Sequence, residues 1–387
     1  MKLLINTATT YKGGGVQVAR SFIEECKKFQ DNEYHVILSQ NLAALIDPEI
    51  YPENFFFYKI DYRPATRVFS FKPRDQYFKI LEKEIQPDVV FTTSGPAYWR
   101  PEAPHLVGYN LPHYIYPESP YFRKISAIDR LKWKLKGRVI RYYFRNDADA
   151  YVVQTDDVKS RLKRFINKNR VYTVSNTFSD DYRQPLEVPN KLPDRKSNEF
   201  RFLSFSSWYP HKNLEIIPEV IEQMPSEYRE RIRFVVTLPK NKYRSVFNEK
   251  YRKHMFNTGP VDPSEGPSLY RECDALFLPT LLECFSATYA EAMVMKKPIV
   301  TSDLGFARSI CGDAALYVDP VDPKKITEKL IRLANDESIQ EHLIRNGEQQ
   351  VMSFLDSKGR TKAYLEICRE LINSKNDEYD HIKEENT

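Results

Sequence analysis

The stretch DALFLPTLLECFSATYAEAMVMKKPIVTSD, residues 274–303, decides the fold of the second half of the chain. It opens and closes with short apolar runs that end in polar residues, as buried parallel strands do. The segment between them has helical periodicity from about Ser286 onward. A strand, a helix and a further strand in this order predict one βαβ unit of a parallel sheet.

The same alternation of strands and helices runs through the rest of the chain. Seven strand-like runs are expected in the first half, at 2–8, 34–40, 54–60, 88–94, 105–110, 150–155 and 170–176. Five are expected in the second half, at 200–207, 231–239, 274–280, 297–303 and 315–320. Helix-like stretches lie between the strands, and the chain turns helical from residue 323. The pattern predicts the α/β class with doubly wound parallel sheets.

A chain of 387 residues is too long for one ordinary core, so two domains are expected. Residues 178–199 lose all periodicity and contain three prolines. We therefore predict a first Rossmann-like domain at 1–185, a linker at 186–199 and a second Rossmann-like domain at 200–355. A helix at 356–375 should pack back on the first domain, before a charged tail at 376–387. Ligands of such sheets bind at the carboxyl ends of the strands, here facing each other across a cleft.

The composition excludes several classes of protein. The chain is 41% hydrophobic and 13% aromatic, as in folded globular proteins. Its five cysteines are scattered without a CxxC pair, which argues against a disulfide framework and a zinc site. Because the N-terminus reads as a strand and no run is long enough to span a bilayer, we expect a cytoplasmic location.

The segment 123–145 is strongly basic, with nine Lys or Arg against the single acid Asp129. Aromatic and aliphatic residues, including Trp133, are interleaved with the cations. A basic amphipathic helix of this kind can lie on an anionic membrane surface. It can equally pack its apolar side on the domain and leave the lysines in water. Both interpretations stay open, and binding of nucleic acid is the weaker one.

The turn before Ser286 is a candidate anion site. The first backbone N–H groups of the helix, at Ser286, Ala287 and Thr288, have no intrahelical acceptor, and the positive end of the helix dipole suits a phosphate or diphosphate. Glu291 could then reach hydroxyls of the same ligand, and Glu283 would face the group beyond the phosphates. The alternative is structural: Ser286 caps the helix and Glu291 lies in solvent.

The run from NTGPVDPSEG to ALYVDP, residues 257–320, resembles the C-terminal domain of family 4 glycosyltransferases with the GT-B fold. It shares the Gly-Pro-Val turn, the strand ending in Pro-Thr and the Glu-x7-Glu element of that family. The resemblance implies that Glu291 binds the ribose of a nucleotide and that Glu283 faces the donor sugar. It also implies that the amides of Phe285, Ser286, Ala287 and Thr288 hold the diphosphate, and that backbone near Gly259, Pro260 and Val261 reads the base.

Upstream, FSSWYPHKNLEII at 205–217 is similar to the turn in which family members grip the diphosphate with an Arg and a Lys. Lys212 matches the Lys. Ser207 stands where the Arg is expected, so one cation is missing unless His211 or another residue replaces it.

The first half carries two further candidates. The glycines of TATTYKGGGVQVA, Gly13, Gly14 and Gly15, let backbone approach a ligand ahead of a helix N-terminus. In similar proteins this loop lies near the diphosphate and the acceptor; a tight turn is the alternative. His113 matches a histidine found near the donor sugar in the family, although a lone His is more often a packed residue. Asp156 and Asp157 are expected to N-cap a helix rather than to bind a metal.

These residues predict a retaining, metal-independent glycosyltransferase, as the resemblance implies. Glu283, Lys212 and His113 would be its catalytic residues, with a UDP- or GDP-sugar as donor and no separate cofactor. The acceptor would be a saccharide or a lipid-linked saccharide of a surface polysaccharide, reached at the inner face of the cytoplasmic membrane. A GT-B nucleotide-sugar epimerase and a non-catalytic donor-binding subunit stay open as alternatives.

Overall fold

The structure is a computed structural model that describes residues 1–11, 13–67 and 76–385. The chain forms two compact units. The first takes its residues from 1–115, from 127–176 and from 355 onward; the second is built from 116–126 and 177–354. Each unit is built around its own sheet, and in both sheets every strand pair is parallel.

The strands follow the doubly wound pattern in both units. In the first they are β1 (Lys2–Asn6), β2 (Glu33–Leu38), β3 (Phe55–Lys59), β4 (Val89–Thr92), β5 (His105–Gly108), β6 (Ala150–Val153) and β7 (Val171–Thr173), in the order 3-2-1-4-5-6-7. In the second they are β8 (Phe200–Ser204), β9 (Ile232–Val236), β10 (Met255–Asn257), β11 (Ala275–Leu278), β12 (Ile299–Ser302) and β13 (Ala315–Val318), in the order 10-9-8-11-12-13. Both orders reverse direction beside the first strand of the unit, which is where such sheets bind ligands.

Helices connect the strands. They are α1 (Gly14–Cys26), α2 (Gln40–Ala43), α3 (Gln76–Ile85), α4 (Tyr121–Lys124), α5 (Ala127–Asp147), α6 (Asp156–Ile166), α7 (Ile217–Gln223), α8 (Ser226–Arg231), α9 (Lys240–Val246), α10 (Glu249–Arg252), α11 (Gly266–Arg271), α12 (Ala287–Val294), α13 (Gly305–Cys311), α14 (Pro323–Asn335), α15 (Glu337–Val351) and α16 (Ser357–Glu385).

The core of the first unit joins the start and the end of the chain. Phe22 on α1 packs edge-on against Phe91 on β4, with ring centroids 5.2 Å apart, and against Tyr364 on α16 at 5.5 Å. Leu365 and Cys368 of the same helix are fully buried in this cluster. Helix α16 is therefore part of the first unit, because its apolar face completes that unit's core.

The core of the second unit lies between its sheet and the helices that cover it. Phe202, Phe234 and Phe277, on three adjacent strands, are fully buried, and the rings of Phe202 and Phe234 stack with centroids 6.1 Å apart. All five cysteines are buried, and none of them forms a disulfide in the described part of the chain.

The predicted fold class is confirmed: both units are α/β and carry parallel sheets. All twelve predicted strands are present, and one strand was missed. Strand β10 has three residues, of which only Met255 is buried, so it shows too little apolar pattern to be recognised. The predicted basic helix at 123–145 is interrupted, because Ile125 adopts an extended conformation between α4 and α5.

The unit boundaries differ from those expected from composition. Residues 186–199 belong to the second unit rather than forming a free linker. The Glu272 carboxylate accepts the amides of Lys191 and Leu192 at 2.9 and 2.8 Å, and Arg195 pairs with Asp274 at 2.6 Å. The backbone of the expected charged tail at 376–387 continues α16 as far as Glu385.

Candidate functional site

The amino end of α12 is open to an anion. Ser286 occupies the N-cap position in an extended conformation, but its side chain makes no capping hydrogen bond. Its hydroxyl instead lies 3.3 Å from that of Thr288. The first turn of the helix contains no acidic residue. The structure therefore differs from the alternative in which Ser286 caps the helix, and the positive end of the dipole is not satisfied by a side chain of the cap.

Beside this helix end lies a buried ion pair. The ammonium of Lys212 contacts Oε1 of Glu283, and each side chain is only 12% exposed. The hydroxyl of Thr280 lies 3.1 Å from the same carboxylate oxygen. Two residues that were predicted as catalytic from separate motifs are thus in direct contact.

The position of Lys212 is fixed by the backbone around it. Lys212 ends the 3-10 helix Pro210–Lys212, and Asn213 follows in the left-handed region with φ 58°. The buried side chain of Asn213 donates to the carbonyl of Pro320 at 2.8 Å. The carbonyl of His211 accepts the amide of Leu281 at 2.7 Å, which ties this turn to the loop that carries Glu283.

Glu291 is partly buried beside two tyrosines. It lies on α12, and its Oε2 is 3.5 Å from the hydroxyl of the fully buried Tyr270. Tyr182, whose ring centroid is 5.9 Å from that of Tyr270, lies close enough to Glu291 to influence its pKa, although the Tyr182 hydroxyl reaches no hydrogen-bond partner among the described residues. Burial raises the pKa of Glu291 from its ordinary 4.5 to about 7, although the two tyrosines and the nearby Lys212 act to lower it.

The missing arginine is not replaced by His211. Ser207 lies exposed in the loop after β8. Burial, reinforced by the charge of Lys212, lowers the pKa of His211 to about 3, so its imidazole is neutral near pH 7 and supplies no cation. The side chain of Phe285 packs edge-on against that of Phe354, with ring centroids 5.8 Å apart.

Three residues of this site escaped the sequence analysis. Tyr182 and Tyr270 lie far from Glu291 in sequence, and neither has a local pattern that sets it apart from a core tyrosine. Lys124, from the segment 116–126, places its ammonium against Oδ1 of Asn213, next to Lys212, and 3.4 Å from Glu215. Nothing in the sequence around Lys124 indicates that it joins the second unit.

The loop after β10 contains the residues predicted to lie at the base. Gly259 has φ 78° and open space where a side chain would begin, and Pro260 and Val261 follow it. The side chain of Asn257 fixes the loop through two 2.9 Å hydrogen bonds to the backbone of Leu238. A cavity of about 470 Å³ opens beside Gly259.

The candidates of the first half lie in the first unit. Gly13 precedes α1 with φ 66°, whereas Gly14 and Gly15 are already helical. A side chain at Gly15 would approach Nδ2 of Asn110 at 3.3 Å, and one at Gly14 would meet nothing within 4 Å. His113 lies after β5 in a 3-10 helix, where its ring stacks on Trp133 with centroids 4.5 Å apart.

The expected capping by Asp156 and Asp157 is wrong in detail. Thr155 is the N-cap of α6, because its hydroxyl accepts the amide of Val158 at 3.2 Å. The two aspartates lie in the first turn instead, where Asp157 pairs with Arg161 at 3.1 Å.

Two features of the described residues bear on the type of site. No three His, Cys, Asp or Glu side chains in that part of the chain converge to hold a metal ion. Nor does any helix within it have the length and apolar character needed to cross a membrane.

Comparison with known proteins finds similarity to glycosyltransferases. Residues 190–350 match the sequence profile of the glycosyl transferases group 1. The O-antigen chain mannosyltransferase B of Escherichia coli is 24% identical over 272 residues, which cover 65% of this chain and 70% of that protein. The capsular polysaccharide biosynthesis glycosyltransferase CapM of Staphylococcus aureus is 30% identical over 97 residues, or 24% and 26% of the two chains.

The fold has close structural counterparts as well. The structure of HepE from Anabaena in complex with UDP-glucose covers 95% of this chain, and this chain covers 99% of it, with a TM-score of 0.68 at 13% identity. At that identity the likeness concerns the fold alone. Together, these similarities and the two parallel α/β sheets show a glycosyltransferase with the GT-B fold, whose residues 190–350 match the group 1 profile and whose relatives are named for polysaccharide biosynthesis.

Proposed function

We propose that the chain transfers a sugar from a nucleotide-diphosphate donor to a hydroxyl of a saccharide, with retention of the anomeric configuration. The observation that carries this proposal is the arrangement at α12: an open helix N-terminus, the buried Lys212–Glu283 pair beside it and the partly buried Glu291 one turn further on. The donor class is further supported by the related fold of HepE, which was solved with UDP-glucose.

Catalysis would consist mainly of stabilising the leaving group. As the bond to the sugar breaks, negative charge develops on the diphosphate. The amides of Phe285, Ser286, Ala287 and Thr288 and the ammonium of Lys212 are the donors available to that charge in the second unit. Donors that are already in place cost no reorganisation during the reaction, which is why such sites are effective. With these donors as counter-charge, donor binding would need no metal.

The two glutamates would hold the two ends of the donor. Glu291 would accept hydrogen bonds from the ribose hydroxyls, with its carboxylate held by the hydroxyl of Tyr270 and with Tyr182 beside it. Glu283 would orient the donor sugar. Because Glu283 is already engaged by Lys212 and Thr280, we assign it this positioning role rather than that of a covalent nucleophile. Gly259, Pro260 and Val261 would lie at the base, while Gly13–Gly15 and His113 would serve the acceptor and the sugar.

The proposal extends to the setting of the reaction. Helix α5 buries Gly137, Ile140 and Phe144 on one side. On its opposite side Ile128, Leu131, Leu135 and Tyr142 are 69%, 57%, 50% and 63% exposed. Their spacing of three, four and seven residues forms one stripe, and lysines and arginines flank it. An exposed apolar stripe bordered by cations suits an anionic membrane surface, so we propose a lipid-linked saccharide acceptor at the cytoplasmic face of the membrane.

The experiment that tests the reaction is a turnover assay with purified chain, candidate UDP- and GDP-sugars and an oligosaccharide acceptor, in the presence of EDTA. NMR of the product reports its anomeric configuration. Transfer with retention that persists in EDTA supports the proposal; an inverted product contradicts the proposed mechanism, and loss of transfer in EDTA contradicts metal independence.

Membrane contact is tested separately, by flotation with phosphatidylcholine vesicles with and without phosphatidylglycerol. Replacing Ile128, Leu131 and Leu135 together by serine should abolish flotation with the anionic vesicles. Replacing the exposed Ile50, Ile80 and Leu45, which lie elsewhere on the first unit, should leave flotation unchanged. Equal flotation of both triple variants contradicts the assignment of α5 to the membrane.

A further inference from the structure

The first unit contains a basic pocket that the transfer reaction does not use. Its cavity has a volume of about 540 Å³ and is lined by Arg100, Arg145, Lys168, Arg170 and Lys375, together with Ser374. We define these six residues as the basic pocket. The one carboxylate that also lines the cavity belongs to Asp149.

Both oxygens of that carboxylate have a partner. One oxygen of Asp149 binds the guanidinium of Arg100, and the other accepts the amide of His105 at 2.9 Å. A single negative charge can balance only one of the five positive charges. Glu370, which lies on the same helix as Ser374, is held by the hydroxyl of Tyr172.

Of the remaining four cations, two donate hydrogen bonds to neighbouring residues, and two have side chains that are available to bind an anion. Arg170 donates to the hydroxyl of Ser374 at 2.9 Å, and Lys375 donates to the carbonyl of Glu102, so neither is held in an ion pair within the described residues; the charge of Lys375 also acts on the carboxyl group of Glu82. The side chains of Arg145 and Lys168, which are both exposed, make no ion pair or hydrogen bond with any residue that the structure describes. A cleft lined by charges of one sign concentrates counter-ions, and arginine donors match the geometry of phosphate oxygens.

The pocket and the candidate acceptor residues lie at opposite ends of the strands of the first sheet. Asp149 and Arg170 immediately precede β6 and β7, so the pocket is at the amino ends of these strands. Gly13–Gly15 and His113 follow β1 and β5, at the carboxyl ends. Because all strands of this sheet are parallel, the two places are on opposite edges.

We propose that the basic pocket is a second binding site, separate from the donor site, for a ligand that carries a phosphate or diphosphate group. Arg145 and Lys168 bind the phosphate oxygens, and Arg170 and Lys375 provide the surrounding positive field. The phosphate belongs either to the headgroup of an anionic lipid or to a soluble phosphorylated compound.

The experiment compares four full-length proteins by calorimetric titration with inorganic pyrophosphate. They are the unchanged chain, R145A/K168A, the control R138A/R164A and K212A. The control removes the same charge from exposed positions on α5 and α6 that do not line the cavity. K212A weakens the donor site and leaves the basic pocket unchanged, so pyrophosphate binding that K212A retains at undiminished affinity lies outside the donor site. All four substituted positions of the double variants are exposed and carry no ion pair in the described chain, so folding should be preserved.

K212A should retain pyrophosphate binding at the basic pocket. In R145A/K168A the affinity of that pocket for pyrophosphate should fall by about tenfold or more, which is the effect expected when a charge-assisted hydrogen bond is lost. R138A/R164A should bind as the unchanged chain does. Binding by R145A/K168A equal to that of the control, or no binding by K212A, overturns the proposal. A failure of the proposed transferase activity would leave this result unaffected, because the titration does not depend on turnover.

Flotation with phosphatidylglycerol vesicles distinguishes the two sources of phosphate. If R145A/K168A floats less than R138A/R164A, the ligand is a lipid headgroup. If the two float equally while pyrophosphate binding is lost, the ligand is a soluble phosphorylated compound.

Discussion

The ammonium of Lys212 and the carboxylate of Glu283 form an ion pair in which neither side chain is more than 12% exposed. The pair joins the turn after β8 to the loop after β11, two segments that are adjacent because β8 and β11 are neighbouring strands. Each charge is buried together with its partner, so the removal of one leaves the other without compensation.

The first prediction separates the structural from the catalytic role of this pair. Glu283→Gln should lower the free energy of unfolding by about 2–4 kcal/mol, because it leaves the Lys212 charge buried without a partner. The double variant K212M/E283Q should recover most of that loss, since it removes both charges. Turnover should be lost in both proteins. Urea unfolding at pH 7 measures the stability, and a double variant no more stable than E283Q would show that the pair is not coupled.

The second prediction concerns pH. The pKa of Glu291 is raised from 4.5 to about 7, so the folded state favours the protonated carboxyl group. The cost of charging it is absent below about pH 4.5, grows between the two values and is complete above about pH 7. Glu291→Gln removes that cost. It should therefore stabilise the chain by about 3–4 kcal/mol at pH 8.5, at ~1.4 kcal/mol per pKa unit, and have little effect at pH 4.5. Thermal unfolding at both pH values measures the difference; an effect that is independent of pH would contradict the assigned environment.

The third prediction places a charge at the helix end. Ala287→Glu puts an acid in the first turn of α12, where it should stabilise the helix by about 0.3–1 kcal/mol. It should also weaken the binding of a nucleoside diphosphate by about tenfold or more, because two negative charges would compete for one site. Ala287→Gln has nearly the same shape without the charge and serves as the control. Equal loss of affinity in both variants would indicate a steric effect instead of the proposed anion site.

The fourth prediction concerns the glycine loop. Gly13 has φ 66° and ψ −153°, a conformation that is essentially restricted to glycine. Gly13→Ala should therefore destabilise the chain by about 1–3 kcal/mol. Gly14 is helical with open space around it, so Gly14→Ala should be neutral or stabilising by up to about 1 kcal/mol. Similar effects of the two substitutions on the unfolding midpoint would show that the turn, as described, does not require glycine at position 13.

The strands were predictable because each has a pattern of its own. A run such as Val89–Thr92 is buried along its whole length, and its apolar residues identify it without any partner. Strand β10 escaped because two of its three residues are only partly buried. A strand can therefore be predicted from sequence when it contains enough consecutive apolar residues, and a short edge strand contains too few.

The linker and the tyrosines around Glu291 show where sequence reasoning ends. Residues 186–199 have the composition of a flexible connection, yet Glu272 satisfies their backbone amides at Lys191 and Leu192. The proximity of Tyr182 and Tyr270 to Glu291 arises only when the chain folds. The contacts of Glu272 with the predicted linker, and those of the tyrosines with Glu291, join residues that are far apart in sequence. Such contacts leave no periodic pattern from which they could be predicted.

The measurement that tests the central claim most directly is a thermal-shift panel of UDP, GDP, ADP, CMP and dTDP without added metal. It is performed on the unchanged chain, on Glu291→Ala and on the control Glu328→Ala, an exposed glutamate of α14 in the same unit. A ligand that binds the folded state alone raises the melting temperature by mass action. We expect one nucleoside diphosphate to raise the melting temperature of the unchanged chain. Glu328→Ala should keep that shift, and Glu291→Ala should lose it. No shift with any nucleotide, or an equal shift in both variants, would contradict the proposed donor site.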